Sequence, residues 1–177
     1  MYLILLALGC SGPEPEPMDR STDSGTGIPD LDPEVRLGTG SDAFVLLNDG
    51  DEIVIIRGPQ GSYHVEGSLQ VQGINAGDAK DLSNPDNPLT TFELFDELGV
   101  AISGLEEETL LDYRQGIDPS DEPGVYEMLG RTIYINPELR DTDLAGQMLT
   151  LTVSVEDVDG VRVEDSHSLL AVPHPLN

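Results

Sequence analysis

Paired aspartates in four short segments are the residues of this sequence whose type and spacing best suit chemistry. They stand in NDGDE (48–52), DPSDE (118–122), RDTD (140–143) and EDVD (156–159), between more apolar stretches. Calcium prefers about six to eight oxygen ligands, which loops converging at one end of a β-sandwich can supply. The calcium-ligand candidates are Asp49, Asp51, Asp118, Asp121, Asp141, Asp143, Asp157 and Asp159.

A structural interpretation of the same aspartates is the stronger one. Aspartate is common in turns because it tolerates left-handed backbone and accepts hydrogen bonds from nearby N–H groups. None of the four segments has the spacing of an EF-hand loop, in which glycine stands at position six. We therefore expect turn-forming carboxylates, with calcium as the alternative chemistry and no other cofactor.

The histidines offer two weaker candidates. His64 and Glu66 are two residues apart in a predicted strand and share a face, but a second pair that would complete a metal site is missing. His167 shares a face with Asp165, whereas the neighbouring Ser166 and Ser168 point the other way, so a Ser-His-Asp triad cannot form within this strand. The sequence also has no Gly-x-Ser-x-Gly, His-Glu-x-x-His or P-loop motif. We predict a protein that is not an enzyme, and a small hydrolase using loop carboxylates is a remote alternative.

The opening segment LILLALGC (3–10) predicts an attachment point at the only cysteine. The apolar run is too short to span a bilayer, which takes about 20 residues, but it suits the core of a secretory signal. ALGC (7–10) resembles the lipobox of bacterial lipoproteins. That resemblance implies removal of residues 1–9 as a signal peptide and a diacylglycerol thioether on Cys10. Met1-Tyr2 lacks the positive charge that such signals usually carry.

The charge balance restricts the partners. Thirty-four acidic residues against eight Lys and Arg give a net charge of −26, which disfavours nucleic acid and direct docking on anionic lipid. Residues 10–40 are rich in Pro, Gly and acids and lack aromatic residues, so we predict a disordered linker that carries the lipidated cysteine. A lone cysteine cannot form an intramolecular disulfide. The third segment, residues 41–177, is then the folded domain.

Short runs of alternating apolar residues predict an all-β domain. Strands are expected at 43–47, 52–58, 62–73, 90–97, 99–104, 125–129 and 131–136, while 103–116 is ambiguous between strand and one helical turn. The clearest element is a hairpin over 147–172, in which Leu149, Leu151, Val153 and Val155 face inward and Asp159-Gly160 form a two-residue turn. An apparent change of phase at Glu164-Asp165 predicts a β-bulge there. The number and spacing of these strands favour an antiparallel β-sandwich.

The closing segment LTLTVSVEDVDGVRVEDSHSLLAV resembles the last hairpin of bacterial immunoglobulin-like domains. LLNDGDEIVIIRGPQGSYHVEGSLQV resembles the start of uncharacterised Gram-negative surface lipoproteins with an immunoglobulin-like domain. The resemblance implies an exported lipoprotein, held in the outer membrane or at the cell surface through Cys10, whose domain binds an unknown protein or glycan or serves as a structural module. A calcium-dependent adhesive or carbohydrate-binding module is the alternative.

Overall fold

A computed structural model of the protein describes residues 31–104 and 111–175. The described residues form ten strands and one short helix, α1 (Asp141–Leu144). The strands are β1 (Glu34–Thr39), β2 (Val45–Leu46), β3 (Glu52–Arg57), β4 (Tyr63–Gln72), β5 (Leu89–Phe95), β6 (Leu111–Arg114), β7 (Asp118–Pro119), β8 (Val125–Tyr134), β9 (Met148–Glu156) and β10 (Arg162–Pro173). The protein is thus mostly β, as predicted. Within the described ranges no helix is long and apolar enough to cross a membrane.

The strands form one continuous, curled, mixed sheet. Its hydrogen-bonded order is β2-β1-β4-β3-β10-β9-β5-β6, and β8 and β7 extend it from the other edge of β4. The pairs are antiparallel except one: β3 runs parallel to β10, with Glu52 opposite Leu170 and Ile55 opposite Pro173. The expectation of a purely antiparallel sheet is therefore wrong at this pair, because β3 runs beside the last strand over its first four residues and pairs with β4 only at Ile56 and Arg57.

The two halves of the sheet share one core. Buried apolar residues of β1, β4 and β8 form a single cluster with those of β5, β9 and β10. Phe92 of β5 lies so close to Gly67 of β4 that a Cβ at Gly67 would stand 3.0 Å from the Phe92 ring. The Tyr113 hydroxyl of β6 donates to the Thr132 carbonyl of β8 at 2.9 Å. The sheet therefore folds over onto itself and encloses the core between its halves.

The folded part begins earlier than the sequence suggested. β1 lies within residues 10–40, the predicted disordered linker, and buries Val35 and Leu37 against the core. Two alternating apolar residues amid Pro, Gly and acids gave too weak a pattern to predict a strand. Cys10, the predicted signal peptide and the predicted linker up to residue 30 lie outside the described residues.

The structure joins two predicted strands into one and places the β-bulge in a different strand from the predicted one. The segments 125–129 and 131–136 form mainly one strand, β8, in which Leu129 and Gly130 stand opposite the single residue Ser68. Gly130 has φ +59°, a conformation that favours glycine, and its N–H donates to the Ser68 hydroxyl at 2.9 Å. The bulge is thus in β8, whereas β9 and β10 pair without a shift from Arg162 to Leu170.

Three further segments depart from expectation. Residues 99–104 contribute only isolated bridges at Ala101 and Ser103. The ambiguous segment 103–116 contains β6, and its residues 105–110 lie outside the described ranges. The hairpin turn has three residues instead of two, since Asp157 N–H donates to the Val161 carbonyl at 3.0 Å and Gly160, with φ +80°, ends the loop.

Candidate functional site

The inward face of β10 carries two polar residues among apolar ones. Because the pairing with β9 is unbroken, the odd-numbered residues from Val163 to Ala171 all point to the same side. Asp165 and His167 are therefore half-buried on the same side of the strand as the buried Leu169. Asp165 Oδ2 accepts the backbone N–H of Leu37 at 2.7 Å. A carboxylate of the last strand thus holds the first strand.

Asp49 adds a second carboxylate to His167. His167 Nε2 lies 3.4 Å from Asp165 Oδ2, and its Nδ1 lies 3.4 Å from Asp49 Oδ1. Asp49 Oδ1 also accepts the Ser168 backbone N–H at 2.9 Å. That bond, followed by the contact with His167, lowers the pKa of Asp49 below its ordinary value.

This Asp49–His167–Asp165 cluster connects the last strand to two segments that lie more than a hundred residues earlier in the chain. It joins the turn before β3, the last strand and, through Leu37, the first strand. Ser166 and Ser168 are exposed on the opposite face, as predicted, so the cluster has no adjacent serine nucleophile. Its geometry suits fastening of β1 and the 48–51 turn to β10. The unbroken alternation of odd-numbered residues is the sequence signal that could have revealed it; the expected change of phase obscured that signal.

Asp157 is the most buried of the calcium candidates. It is 7% exposed, and its carboxylate accepts three backbone N–H groups, from Asn75 at 2.9 Å, Asp159 at 3.0 Å and Val161 at 2.9 Å. Two of these bonds form the β9–β10 turn, and the bond to Asn75 attaches the segment after β4. The carboxylate is therefore used to hold backbone.

The other candidates are also parts of turns or lie apart from one another. Asp51 Oδ2 accepts the Asn48 N–H at 2.8 Å, and Asp143 Oδ2 accepts the Arg140 N–H at 2.9 Å at the start of α1. Asp141 accepts the N–H of Thr142. Asp118 lies on β7, and the exposed Asp121 and Asp159 lie in turns.

The calcium candidates do not converge on one point. Among residues 31–104 and 111–175, no group of three or more His, Cys, Asp or Glu side chains is arranged to hold a metal ion. Calcium binding therefore stays a prediction, because the described residues do not bring these candidates together in one site.

His64 lies where β3 and β4 separate. It pairs with Ile56, and its ring contacts Tyr134 edge-on, with centroids 6.2 Å apart. Its Nδ1 is buried and has no hydrogen-bond partner among the residues that the structure describes. Burial lowers the pKa of His64, and the charge of Glu66 opposes that shift. The pair shares a face, as predicted, but no second pair of ligands joins it.

A groove opens beside His64, between β3 and the β1–β2 hairpin. It has a volume of about 260 Å³ and is open to solvent along one side. Its lining consists of Thr39, Gly40, Glu52, Ile53, Val54, Ile56, Glu66 and His174. We call it the fork groove, because β3 and β1 both pair with β4 but on different stretches of it. Sequence reasoning missed this groove, since it arises from the pairing of strands distant in sequence.

No family model matches the chain, and no curated protein matches it. Among solved structures, the chain is similar to the N-terminal domain of PorA, with 14% identity over 77% of this chain and 97% of that one, and a TM-score of 0.28. A similarity at this TM-score carries no argument about function.

Proposed function

We propose that this protein is an exported lipoprotein that carries an immunoglobulin-like β-sandwich as a non-catalytic interaction or structural module. Cys10 is the proposed lipid attachment site, and the sequence up to residue 30 is the proposed spacer between the membrane and the domain. The acidic, Pro-rich sequence of that segment is typical of an extended spacer. The proposed location is the outer membrane or the cell surface.

The order of the strands is the observation that carries the domain assignment. An immunoglobulin-like sandwich has strands A, B, E and D in one sheet and C, F and G in the other, with an added C′ in the variable type. The letters A, B, C, C′, D, E, F and G are assigned in chain order to β3 through β10. The hydrogen-bonded order is then β3-β4-β8-β7 on one side and β6-β5-β9-β10 on the other. This order matches A-B-E-D and C′-C-F-G. β1 and β2 are then an additional hairpin on the edge of strand B.

The path of the chain supports display of one end of the domain. The Gln72 side chain donates to the Asp32 carbonyl at 3.3 Å, so residues 31–33 lie beside the C-terminal end of β4. Asn75, just after β4, donates its N–H to Asp157 of the β9–β10 turn, so this turn lies at the same end. The 96–100 turn and α1 lie at the opposite end. An anchor that precedes residue 31 would place the β9–β10 turn towards the membrane and the opposite end away from it.

Mass spectrometry of the mature N-terminal peptide tests the anchor. We expect a peptide that starts at Cys10 and carries the mass of acyl chains, and membrane fractionation of the protein. Cys10→Ser should move the protein to the soluble fraction, whereas Ser11→Ala, the matched control, should leave it with the membrane. A protein that still begins at Met1 with an unmodified cysteine would reject the anchor.

The only lysine of the sequence tests the location. Lys80 is exposed in the segment between β4 and β5. A membrane-impermeant amine reagent applied to intact cells should modify the Lys80 peptide, and Lys80→Arg should abolish that modification. Modification only after lysis would place the domain inside the envelope instead of at the surface.

A thermal denaturation of the protein tests the calcium-dependent adhesive alternative. A rise of the protein's Tm on addition of calcium would favour that alternative.

A further inference from the structure

β4 has one edge that two strands share incompletely. β3 pairs with it at Tyr63 and His64, and β1 pairs with it from Ser68 to Gln72. Between these stretches, residues 65–67 have no ladder partner on this edge among the described strands. The Thr39 hydroxyl fills part of the gap by donating to the Glu66 carbonyl at 3.0 Å. The gap is the floor of the fork groove.

The groove wall formed by β3 carries backbone N–H and C=O groups that point into the groove. On its other edge, β3 pairs with β10: the Asp51 carbonyl accepts from Leu170 N–H at 2.8 Å, and the Ile55 carbonyl accepts from His174 N–H at 2.9 Å. Backbone groups in a strand alternate between its two edges, so the odd-numbered residues bond to β10. The N–H and C=O groups of Glu52 and Val54 therefore point away from β10, towards the groove.

These backbone groups lack a neighbouring strand. Ladder pairs of β3 with β4 are limited to Ile56 and Arg57, and within the described ranges no strand pairs with Glu52 or Val54 on the groove side. Both residues are exposed, Val54 by 37%. Exposed strand edges of this kind accept additional strands, and proteins that do not use them usually block them.

The side chains around this edge combine apolar contact with negative charge. Val54 and Ile56 give the groove an apolar strip, and Glu52 and Glu66 line it with carboxylates. Val45 of β2, 55% exposed, continues the apolar surface beyond Gly40, since a Cβ at Gly40 would stand 3.4 Å from Val45 Cγ2. An occupant with alternating apolar and basic residues would meet both features.

We propose that the fork groove binds an extended, basic peptide segment of a partner protein, which adds a strand to the Glu52–Val54 edge of β3. Backbone hydrogen bonds supply the common part of the affinity, and alternate side chains supply the specificity. A second copy of this chain is a poor occupant, because the net charge of −26 opposes its approach. The proposal deepens the proposed interaction function and rests on it for its biological role.

A short synthetic peptide tests the proposal on the full-length protein in detergent solution. The probe is a capped peptide of alternating Lys and Val, and its control has the same sequence with N-methyl groups on alternate backbone nitrogens. We expect the parent peptide to bind and to slow hydrogen exchange of the Glu52 and Val54 amides. The N-methylated peptide should not bind, because it cannot complete the ladder. Equal binding of both peptides would overturn the proposal in favour of nonspecific charge attraction.

Charge reversal supplies a matched pair of variants. Glu52→Lys should weaken binding of the Lys-Val peptide by roughly tenfold or more, since it puts a like charge at the edge. Glu138→Lys changes the net charge equally but lies near α1, outside this groove, and should change the affinity by less than about twofold. Equal losses in the two variants would contradict a localised site. The acyl mass on Cys10 does not depend on either variant, so failure of this proposal and failure of the proposed anchoring are separate results.

Discussion

The β9–β10 hairpin and the fork at β4 show two ways in which strands of one protein use their edges. β10 pairs with β9 without interruption along nine residues of one edge, and with β3 along four residues of the other edge. At the fork, β3 and β1 divide one edge of β4 and leave backbone groups of both β3 and β4 without ladder partners.

The difference follows from how each register is set. A turn of three residues fixes the register of β9 and β10, and the alternating buried residues keep it. β3 and β1 reach β4 through separate connections, so their pairings need not meet. Continuous pairing gives rigidity to the hairpin, whereas an interrupted edge provides a place where a partner can bind.

A core substitution in the hairpin should have the largest effect on stability. Leu151 is fully buried in β9, and Leu151→Ala should lower the free energy of unfolding by about 2–5 kcal/mol, through lost burial and a cavity. Val54→Ala at the fork should change it by no more than about 0.5 kcal/mol, because Val54 is exposed. Urea denaturation of both variants measures the contrast. A loss at Val54 as large as at Leu151 would mean that the fork edge is packed and not open.

Removal of the Asp157 carboxylate in the hairpin turn should have the second-largest effect on stability. Asp157→Ala leaves three backbone N–H groups without their acceptor, and we expect a loss of roughly 2–3 kcal/mol. Asp159→Ala removes an exposed carboxylate two residues away and should be nearly neutral. Denaturation at low and high calcium separates the two interpretations of Asp157. A calcium-dependent stability that disappears in Asp157→Ala would contradict the purely structural role.

Loss of the hydrogen bond between Asp165 and β1 should cost less free energy of unfolding than loss of the Asp157 carboxylate, and it should affect mainly β1. Asp165→Ala removes the acceptor of the Leu37 N–H, at a cost of about 1–2 kcal/mol, and should speed hydrogen exchange at Leu37 more than at Leu151. Glu164→Ala, on the outward face of the same strand, is the control and should leave both rates unchanged. Unchanged exchange at Leu37 in Asp165→Ala would show that the ladder with β4 alone holds β1.

Local patterns predicted much of this fold. Alternation placed Leu149, Leu151, Val153 and Val155 inside, and the structure buries all four. The β-rich class and most strands follow from the same short-range signal. The hairpin turn was located correctly, although its length depends on Asp157, whose carboxylate bonds cannot be read from a dipeptide pattern.

Contacts between distant residues account for what the sequence did not predict. The parallel pair of β3 and β10, the place of β1 and the fork groove all join segments separated by long stretches of chain. The polar residues at Asp165 and His167 suggested a change of phase, because solvation of isolated polar residues was the simpler expectation. Their partners, Leu37 and Asp49, lie more than a hundred residues away. No local pattern identifies such partners.

His64, at the base of the fork, gives the smallest expected effect and tests how closely β3 and β4 are packed there. Because burial lowers its pKa below the ordinary 6.5, the unfolded chain binds a proton more readily than the folded protein as the pH falls through this value. His64 therefore favours the folded state fully above pH 6.5, and that contribution is lost as the pH falls towards the folded pKa. His64→Gln should remove this dependence, so the difference in Tm between the variant and the wild type should shift in favour of the variant below pH 6.5. Glu66→Gln should steepen the loss in the wild-type histidine background, because the Glu66 charge opposes the lowering. A shift in favour of the wild type at low pH would mean that the effect of the Glu66 charge on the pKa of His64 outweighs that of burial. The fork would then be more hydrated than the β9–β10 hairpin.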